Sequence, residues 1–183
     1  MIFDKLSKLF LDIFFPPICV ICGEYIDNSN GEIVCDGCLD RFIIKRYSES
    51  LGTINIIAVT DYRDQNIKKL IRLLKYNGMK EAALTLGKLL VKRLSTEKEI
   101  NPENAIIVPI PLHPAKERKR GYNQSELISF SAGKIMGITV NPRIIRRIKA
   151  GNPQAETPDY EERAKNIKEA FAAGKENGAV SGK

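Results

Sequence analysis

The sequence contains no tryptophan, one histidine and four cysteines, and it has no uninterrupted apolar run of about 20 residues, the length that a membrane-spanning helix needs. It also lacks the apolar core and small-residue cleavage site that are typical of a signal peptide. We therefore expect a cytoplasmic protein without a membrane span.

The scarcity of histidine and tryptophan restricts the chemistry further. His113 lies between Pro111 and Pro114, and the sequence identifies no partner for it, so we do not expect it to act as an acid–base catalyst. Binding of single-stranded nucleic acid favours aromatic stacking platforms beside a positive groove. Seven phenylalanines and six tyrosines, with no tryptophan, give such a function only modest support.

Positive charge is in excess. Twenty-nine Lys and Arg residues against 22 Asp and Glu residues give a net charge of +7 and a pI near 9.2. That balance favours a phosphate-bearing partner, either nucleic acid or a small phosphorylated ligand. A chain of 183 residues with 43% hydrophobic residues can bury one full core and a small accessory unit.

Residues 1–17 are predicted to form an amphipathic N-terminal helix that ends at Pro16-Pro17. Its apolar positions recur at helical spacing and are Phe3, Leu6, Leu9, Phe10, Ile13 and Phe14. Lys8 and Asp12 interrupt any apolar span. We expect the helix to dock on the body of the protein, and a membrane-surface or partner-binding role is the alternative.

Residues 18–45 contain all four cysteines in two CxxC pairs, Cys19 with Cys22 and Cys35 with Cys38. Each CxxC turns tightly enough for two sulfurs to reach one metal ion, and this spacing is typical of a structural zinc ribbon. Two disulfides or a redox-active CxxC are the alternatives, but disulfides are rare in the cytoplasm and a redox motif usually has one CxxC. We expect structural Zn²⁺, because four thiolates leave no position for a catalytic water.

Residues 53–183 are predicted to form an α/β domain, because β-branched segments alternate with helical ones, as in parallel sheets flanked by helices. The predicted strands are Asn55–Tyr62 and Ala105–Ile110, and a short apolar piece, Arg143–Ile148, follows later in the chain. The predicted helical segments are Asp64–Leu94, with a break at Asn77-Gly78, Gln124–Met136 and Asp159–Ala170. In the first helix the expected core stripe is Ile67, Leu70, Ile71 and Leu74.

The segment VPIPLHPAKERKRGYNQ, Val108–Gln124, follows a predicted strand and precedes a predicted helix. Ligands of parallel α/β sheets bind at such places, beyond the carboxyl ends of the strands. Its positive residues are Lys116, Arg118, Lys119 and Arg120, and they are followed by Gly121, Asn123 and Gln124 near a helix start. A pyrophosphate or a sugar phosphate would suit this loop. An exposed basic loop with an ordinary helix cap is an equally good interpretation.

In order and content these motifs resemble the ComF family of bacterial competence proteins, which join a small zinc ribbon to a phosphoribosyltransferase-like domain. The matching features are Pro17 with the CxxC pairs, Tyr62, IRLLKYNG (Ile71–Gly78), VPIPLHP, RGYNQSEL, Arg146, Gln154, Arg163, Asn166 and Phe171. The resemblance covers nearly the whole chain, and RGYNQ after PLHP, combined with the four cysteines, is its most specific part.

The resemblance implies a phosphoribosyltransferase-like parallel sheet with helices and binding of 5-phosphoribosyl-1-pyrophosphate (PRPP) with Mg²⁺. It also implies a role in the uptake of transforming DNA beside a competence helicase. The residues that it assigns to PRPP are Lys75, Arg118, Arg120, Gly121, Asn123 and Gln124. It assigns no catalytic residue.

One element of the family pattern is missing. Phosphoribosyltransferases of this type carry two adjacent acids followed by a Thr-Thr-Gly loop, which hold the ribose hydroxyls and the 5′-phosphate, and this sequence has no such segment. We therefore expect a C-terminally incomplete domain, truncated before that motif, with PRPP binding that is weak or lost, and transferase activity stays an open question. The alternatives are a non-catalytic zinc-ribbon module for single-stranded DNA or a helicase partner, and a zinc-ribbon scaffold with a decayed second domain.

Overall fold

The structure is a computed structural model that describes residues 16–27, 29–45, 47–97, 100–149 and 170–174. The chain divides into two compact units, Met1–Arg93 and Leu94–Lys183. The predicted helices over residues 1–17 and 159–170 lie almost entirely outside the described residues, as do Gln154 and Arg163, so they stay predictions. Of the helices in the described ranges, none has both the length and the apolarity that crossing a membrane requires.

The first unit combines a cysteine-rich segment, a hairpin and two helices. Its elements are α1 (Asp36–Asp40), β1 (Ser48–Leu51), β2 (Ile54–Ile57), α2 (Gln65–Tyr76) and α3 (Ala82–Leu94), the last of which ends at the unit boundary. Strands β1 and β2 pair antiparallel, with Leu51 opposite Ile54. Gly52 closes their turn with a φ of 63°, a left-handed value that glycine adopts without strain. The predicted strand Asn55–Tyr62 is therefore shorter, since β2 ends at Ile57.

Helix α2 begins and ends at residues whose chemistry favours helix termini. The carboxylate of its N-cap, Asp64, accepts hydrogen bonds from the backbone N–H groups of Asn66 and Ile67 at 2.7 and 3.3 Å. At the other end, Gly78 adopts a left-handed φ of 72° that an L side chain disfavours. This confirms the predicted break at Asn77-Gly78.

Helices α2 and α3 supply the large apolar side chains that are most completely buried in the first unit. Ile67, Leu70 and Leu74 are at most 2% exposed, and Leu89 of α3 is equally buried. Burying a side chain of this size stabilises a fold by about 1.5–3 kcal/mol. The predicted stripe is thus confirmed for three of its members, whereas Ile71 is only half-buried.

The second unit contains short strands around two helices. Its described elements are β3 (Ile106–Ile107), α4 (Pro114–Arg120), α5 (Gln124–Met136), β4 (Thr139–Val140), β5 (Ile145–Arg147) and β6 (Phe171–Ala173). Strands β3 and β4 pair in parallel, whereas β5 and β6 pair antiparallel. The described strands of the whole chain thus form three two-stranded sheets in a mixed α/β fold. The predicted phosphoribosyltransferase-like parallel sheet remains a prediction.

Strand β3 is much shorter than the predicted strand Ala105–Ile110. Pro109 and Pro111 carry no backbone N–H group and cannot donate to a neighbouring strand, so pairing stops after Ile107. Helix α5, by contrast, has the predicted bounds, because Asn123 caps its start and Gly137, with a φ of 70°, ends it.

Helix α5 packs closely against the segment that follows it. A Cβ atom on Gly133 would lie 2.5 Å from Cγ2 of Val140 and 2.7 Å from the carbonyl oxygen of Ile138. The buried residues of this helix are the small ones, Ser129, Ser131, Ala132 and Gly133. Glycine is therefore required at position 133 for β4 to reach its pairing position beside β3.

Candidate functional site

The first CxxC pair lies in a tight hairpin. The Cys19 N–H group donates to the carbonyl of Glu24 at 2.7 Å, and the Gly23 N–H group donates to the carbonyl of Cys19 at 2.9 Å. Gly23 has a φ of 79°, which a residue with a side chain rarely adopts. The turn therefore brings Cys22 back beside Cys19.

The second pair lies at the start of α1. Cys35 is the N-cap, and its carbonyl accepts hydrogen bonds from the N–H groups of Cys38 and Leu39 at 3.0 and 2.9 Å. A hydrogen bond of 2.8 Å from the Val20 N–H group to the Ile33 carbonyl joins the two pairs. We call residues 17–42, which contain both pairs, the cysteine knuckle.

The four sulfur atoms of the cysteine knuckle lie within 4.8 Å of one another, and those of Cys22 and Cys35 are 3.8 Å apart. Tetrahedral zinc with Zn–S bonds of about 2.3 Å requires sulfurs separated by about 3.8 Å. All four cysteines are thiols, and none forms a disulfide. The cluster could therefore hold a metal ion such as zinc, with four protein ligands and no position for water or substrate.

Hydrogen bonds favour a thiolate at Cys19. The N–H groups of Ile21 and Cys35 each lie 3.4 Å from its sulfur. Burial acts to raise the pKa of the Cys19 thiol, but the N–H groups of Cys22, Cys35 and Ile21 outweigh burial and lower that pKa from 9.0 to about 6. Burial, aided by the three neighbouring sulfurs, raises the pKa of Cys38 to about 12. Four thiolates at this spacing thus need a cation to offset their repulsion, as a divalent metal would.

Two ion pairs join the cysteine knuckle to α3. Lys88 Nζ lies 2.6 Å from Glu32 Oε1, and Lys92 Nζ lies 3.3 Å from Asp40 Oδ1. The two lysines are four residues apart, so they lie on the same face of the helix. Each pair is partly solvated and worth at most about 1 kcal/mol, so the pairs orient the knuckle more than they stabilise it.

A cleft of about 300 Å³ lies beside the sulfur cluster. Its lining residues are Ile21, Cys22, Cys38, Arg41, Phe42, Asp64 and Asn66. Cys22 is exposed, whereas Cys19 and Cys38 are buried. The cleft therefore opens the cluster to small molecules on the side of Cys22.

The charged part of the predicted basic loop of the second unit forms helix α4, Pro114–Arg120. Nδ1 of His113 accepts a hydrogen bond from the Ala115 N–H group at 3.3 Å, and Pro114 occupies the first turn of α4. Gly121 ends the helix with a φ of 85°. His113 is therefore a helix cap.

The structure brings several of the predicted phosphate ligands together at the junction of α4 and α5. Arg120 donates a hydrogen bond to Oε1 of Gln124, and Asn123 caps α5. Arg118 and Gly121 line an open hollow of about 320 Å³. The end of α4 carries basic side chains, and the start of α5 presents backbone N–H groups. Both favour an anion at this junction.

Lys75, by contrast, belongs to α2 and hence to the first unit. Three exposed residues of that helix, Lys69, Arg72 and Tyr76, are spaced so that they share one face, and we call them the α2 stripe. Tyr76 is 75% exposed. Nearby in the sequence, Lys68 Nζ lies 6.0 Å from the ring centre of an exposed tyrosine, Tyr62.

Helix α4 could have been predicted from the sequence. A proline preceded by histidine, with glycine seven residues later, is a signal for the short helix α4. The cleft residues Arg41, Asp64 and Asn66 carry no such signal, because only the folded chain brings them beside the cysteines.

Comparisons with known proteins do not assign a family to the chain. No protein-family model matches its sequence, and no curated protein or solved structure matches it either.

Proposed function

We propose that this chain is a ComF-like protein of bacterial DNA uptake, in which the cysteine knuckle holds a structural zinc ion and the second unit binds a phosphate group. The observation that carries the proposal is the cluster of four thiols from two CxxC pairs. The phosphate site and the role in DNA uptake are inferred from the sequence resemblance, in which such a cluster occurs together with RGYNQ.

Zinc in this proposal is structural. The four cysteines close the coordination sphere, so the ion would bring no Lewis-acid chemistry to a substrate. Its effect is to join the hairpin of the first CxxC to the start of α1. Small metal knuckles of this kind usually fold only with the metal.

The phosphate ligand that we propose is PRPP with Mg²⁺, as the resemblance implies. Arg118 and Arg120 supply positive charge beside Gly121, and Asn123 places the start of α5 next to them. Because the acidic and Thr-Thr-Gly elements that hold ribose and 5′-phosphate are missing from the sequence, we expect only weak binding. We propose no acceptor and no transfer step.

Metal analysis tests the zinc assignment. Protein purified without chelator should contain one zinc ion per chain, and Cys19→Ser should lose it, since three thiolates and a hydroxyl bind zinc far less well. Ser29→Ala, a change at an exposed position within the same segment, serves as the control. Wild-type protein that contains no zinc would contradict the zinc assignment.

NMR titration with Mg²⁺ and PRPP tests the phosphate site. Amide shifts should change at residues 118–124 and should disappear in Arg118→Ala but not in Lys134→Ala, which removes an equal charge elsewhere in the same unit. Shifts confined to other residues would refute the PRPP assignment and leave the zinc assignment standing.

A second candidate function is binding of single-stranded DNA, and the α2 stripe favours it. Lys69 and Arg72 offer two cations on one face, and Tyr76 and Tyr62 offer exposed rings on which bases can stack. Phosphates and bases of a single strand need this combination of charge and aromatic surface.

Salt titrations of binding to an oligothymidine test the second candidate. Replacement of Lys69 and Arg72 together by alanine should weaken binding and reduce the slope of log K against log salt by about 1.4, because roughly 0.7 counterions are released per phosphate contact. Removing Lys92 and Lys134 makes a matched double control. A slope that is near zero in the wild type would indicate a protein partner, such as a helicase, instead.

A further inference from the structure

We propose that Cys22 is an oxidative modification site: a hydroperoxide oxidises its sulfur, and the product forms a Cys22–Cys35 disulfide that opens the metal centre. The proposal rests on the zinc assignment made above and is independent of PRPP or DNA binding. It is argued from three observations: the different exposure of the four cysteines, the adjacent cleft, and the distance between the sulfurs of Cys22 and Cys35.

The four sulfurs differ in their access to solvent. Cys19 is 1% exposed and Cys38 is 5% exposed, whereas Cys22 is an exposed residue and Cys35 is intermediate. An oxidant that arrives from solvent therefore meets Cys22 first.

The cleft beside the cluster has room for the oxidant. Its volume is about 300 Å³, whereas a water molecule in the liquid takes about 30 Å³, and hydrogen peroxide has only one more heavy atom. Arg41 lines the same cleft. A guanidinium at this place stabilises the hydroxide that leaves when the peroxide bond breaks.

Cys35 is the partner that the geometry favours. Its sulfur lies 3.8 Å from that of Cys22, and the two residues come from different CxxC pairs. Cys35 is also the second most accessible of the four cysteines, so its sulfur can react while Cys19 and Cys38 stay covered.

The reaction balances with one peroxide. The Cys22 thiolate attacks one oxygen, the O–O bond breaks, and hydroxide leaves and becomes water on protonation, so that Cys22 becomes a sulfenic acid. The Cys35 thiolate then attacks the Cys22 sulfur, the S–O bond breaks, and a second hydroxide leaves and is protonated to water. The two sulfurs together lose two electrons, which the peroxide accepts.

Formation of this disulfide removes two of the four ligands of the metal centre. Two remaining thiolates, Cys19 and Cys38, cannot retain a structural ion against a chelator. A thiol reductant breaks the disulfide again, so that added zinc restores the cysteine knuckle. The cysteine knuckle would therefore report oxidising conditions reversibly.

The test uses the full chain with its zinc content measured first. An equimolar amount of hydrogen peroxide is added, zinc release is followed with a colorimetric chelator, and the disulfides are mapped by mass spectrometry after the remaining thiols are alkylated. Zinc release should match formation of a Cys22–Cys35 disulfide, with Cys19 and Cys38 recovered in alkylated form.

The possible failures are distinguishable. A chain that binds no zinc overturns the metal assignment and this proposal together. A zinc-loaded chain overturns this proposal alone if it keeps its zinc after peroxide treatment, or if its first disulfide is Cys19–Cys22 or Cys35–Cys38.

Because Cys22→Ser removes a metal ligand, a variant outside the ligand set is also needed. Arg41→Gln should slow zinc release by about two- to threefold, the effect expected when one solvated charge beside a departing anion is removed. Arg63→Gln, an exposed arginine that does not line the cleft, is the matched control and should leave the rate unchanged. Equal rates in wild type and Arg41→Gln would overturn attack through the cleft.

Discussion

Asn123 has two roles at the start of α5, and both depend on its burial. The side chain is 5% exposed; its Oδ1 accepts a hydrogen bond from the Ser125 N–H group at 3.0 Å, and its Nδ2 donates to the Ile110 carbonyl at 3.1 Å. A helix cap is thus joined to the segment that leaves β3. The sequence indicated the cap, but it could not indicate the bond to Ile110, because that bond depends on how the prolines direct the chain.

Replacing Asn123 by alanine should lower the free energy of unfolding by about 1–3 kcal/mol, because it removes the cap and leaves the Ile110 carbonyl without this donor. Urea unfolding measures the loss. Asn123→Asp keeps the cap and should lose less, whereas Asn104→Ala, at an exposed position of the same unit, should change little. Equal stability of Asn123→Ala and wild type would contradict the buried double role.

The carboxylate of Asp61 gives the first unit a pH dependence with a definite sign. A side-chain hydrogen bond from Arg63, followed by the Arg63 N–H group, lowers the pKa of Asp61 from 3.8 to about 2. A carboxyl whose pKa is lower in the folded state stabilises the fold above about pH 4, and that contribution is lost as the pH falls towards 2.

Asp61→Asn should therefore have a slightly lower melting temperature than wild type at neutral pH, and the difference should vanish near pH 2. Thermal unfolding between pH 2 and 7 checks this, with Glu81→Gln as the control for loss of an exposed acid. A difference that persists unchanged at pH 2 would show that the carboxylate charge is not its cause.

Helices were predictable from the sequence where a cap and a terminating glycine flank an apolar pattern. Helix α5 shows this at both ends, and α2 shows it at Asp64 and Gly78. Helix α4 escaped prediction because a dense run of charges has no apolar periodicity. The predicted strands are longer than the observed ones, because the alternation of side chains does not show which backbone groups find hydrogen-bond partners. In β3, proline limits the pairing.

Gly133→Ala tests the close contact between α5 and β4. Alanine favours a helix over glycine by about 1 kcal/mol, but the added methyl group would overlap Val140 and the Ile138 carbonyl. We expect the clash to dominate and the free energy of unfolding to fall by about 1–3 kcal/mol. Urea unfolding monitored by circular dichroism provides the measurement.

Gly37→Ala is the matched control for this change. Gly37 lies in α1, has no positive φ, and has no atom within 4 Å of a Cβ at its position. The same substitution should therefore be neutral or stabilise by up to about 1 kcal/mol. A stabilised Gly133→Ala variant would show that β4 can move away from α5 without cost.

At the scale of the whole chain, the four cysteines were predictable because metal ligands follow a short-range spacing rule. The contact of the cysteine knuckle with α3 was not, since Glu32 and Lys88 are 56 residues apart and isolated charges give no indication of their partner. The same limit applies to the predicted phosphoribosyltransferase-like sheet, because local sequence pattern does not specify long-range strand pairing.

Removal of zinc with a chelator should therefore affect more than the cysteines. Hydrogen exchange should accelerate at least tenfold in residues 19–40, because a bound metal would join the two CxxC pairs, and by a smaller factor around Lys88 and Lys92. Mass spectrometry of peptides measures both, with peptides of α5 as internal reference. Unchanged exchange in residues 19–40 would mean that the cysteine knuckle folds without metal.

The order of these residues along the chain also has a consequence for biosynthesis. The last cysteine, Cys38, is made 56 residues before Leu94, the end of the helix to which the cysteine knuckle is joined. At roughly 5–20 residues per second, translation of that interval takes about 3–11 s. The thiols therefore emerge from the ribosome several seconds before α3 exists, so that a metal ion such as zinc could bind to the nascent chain.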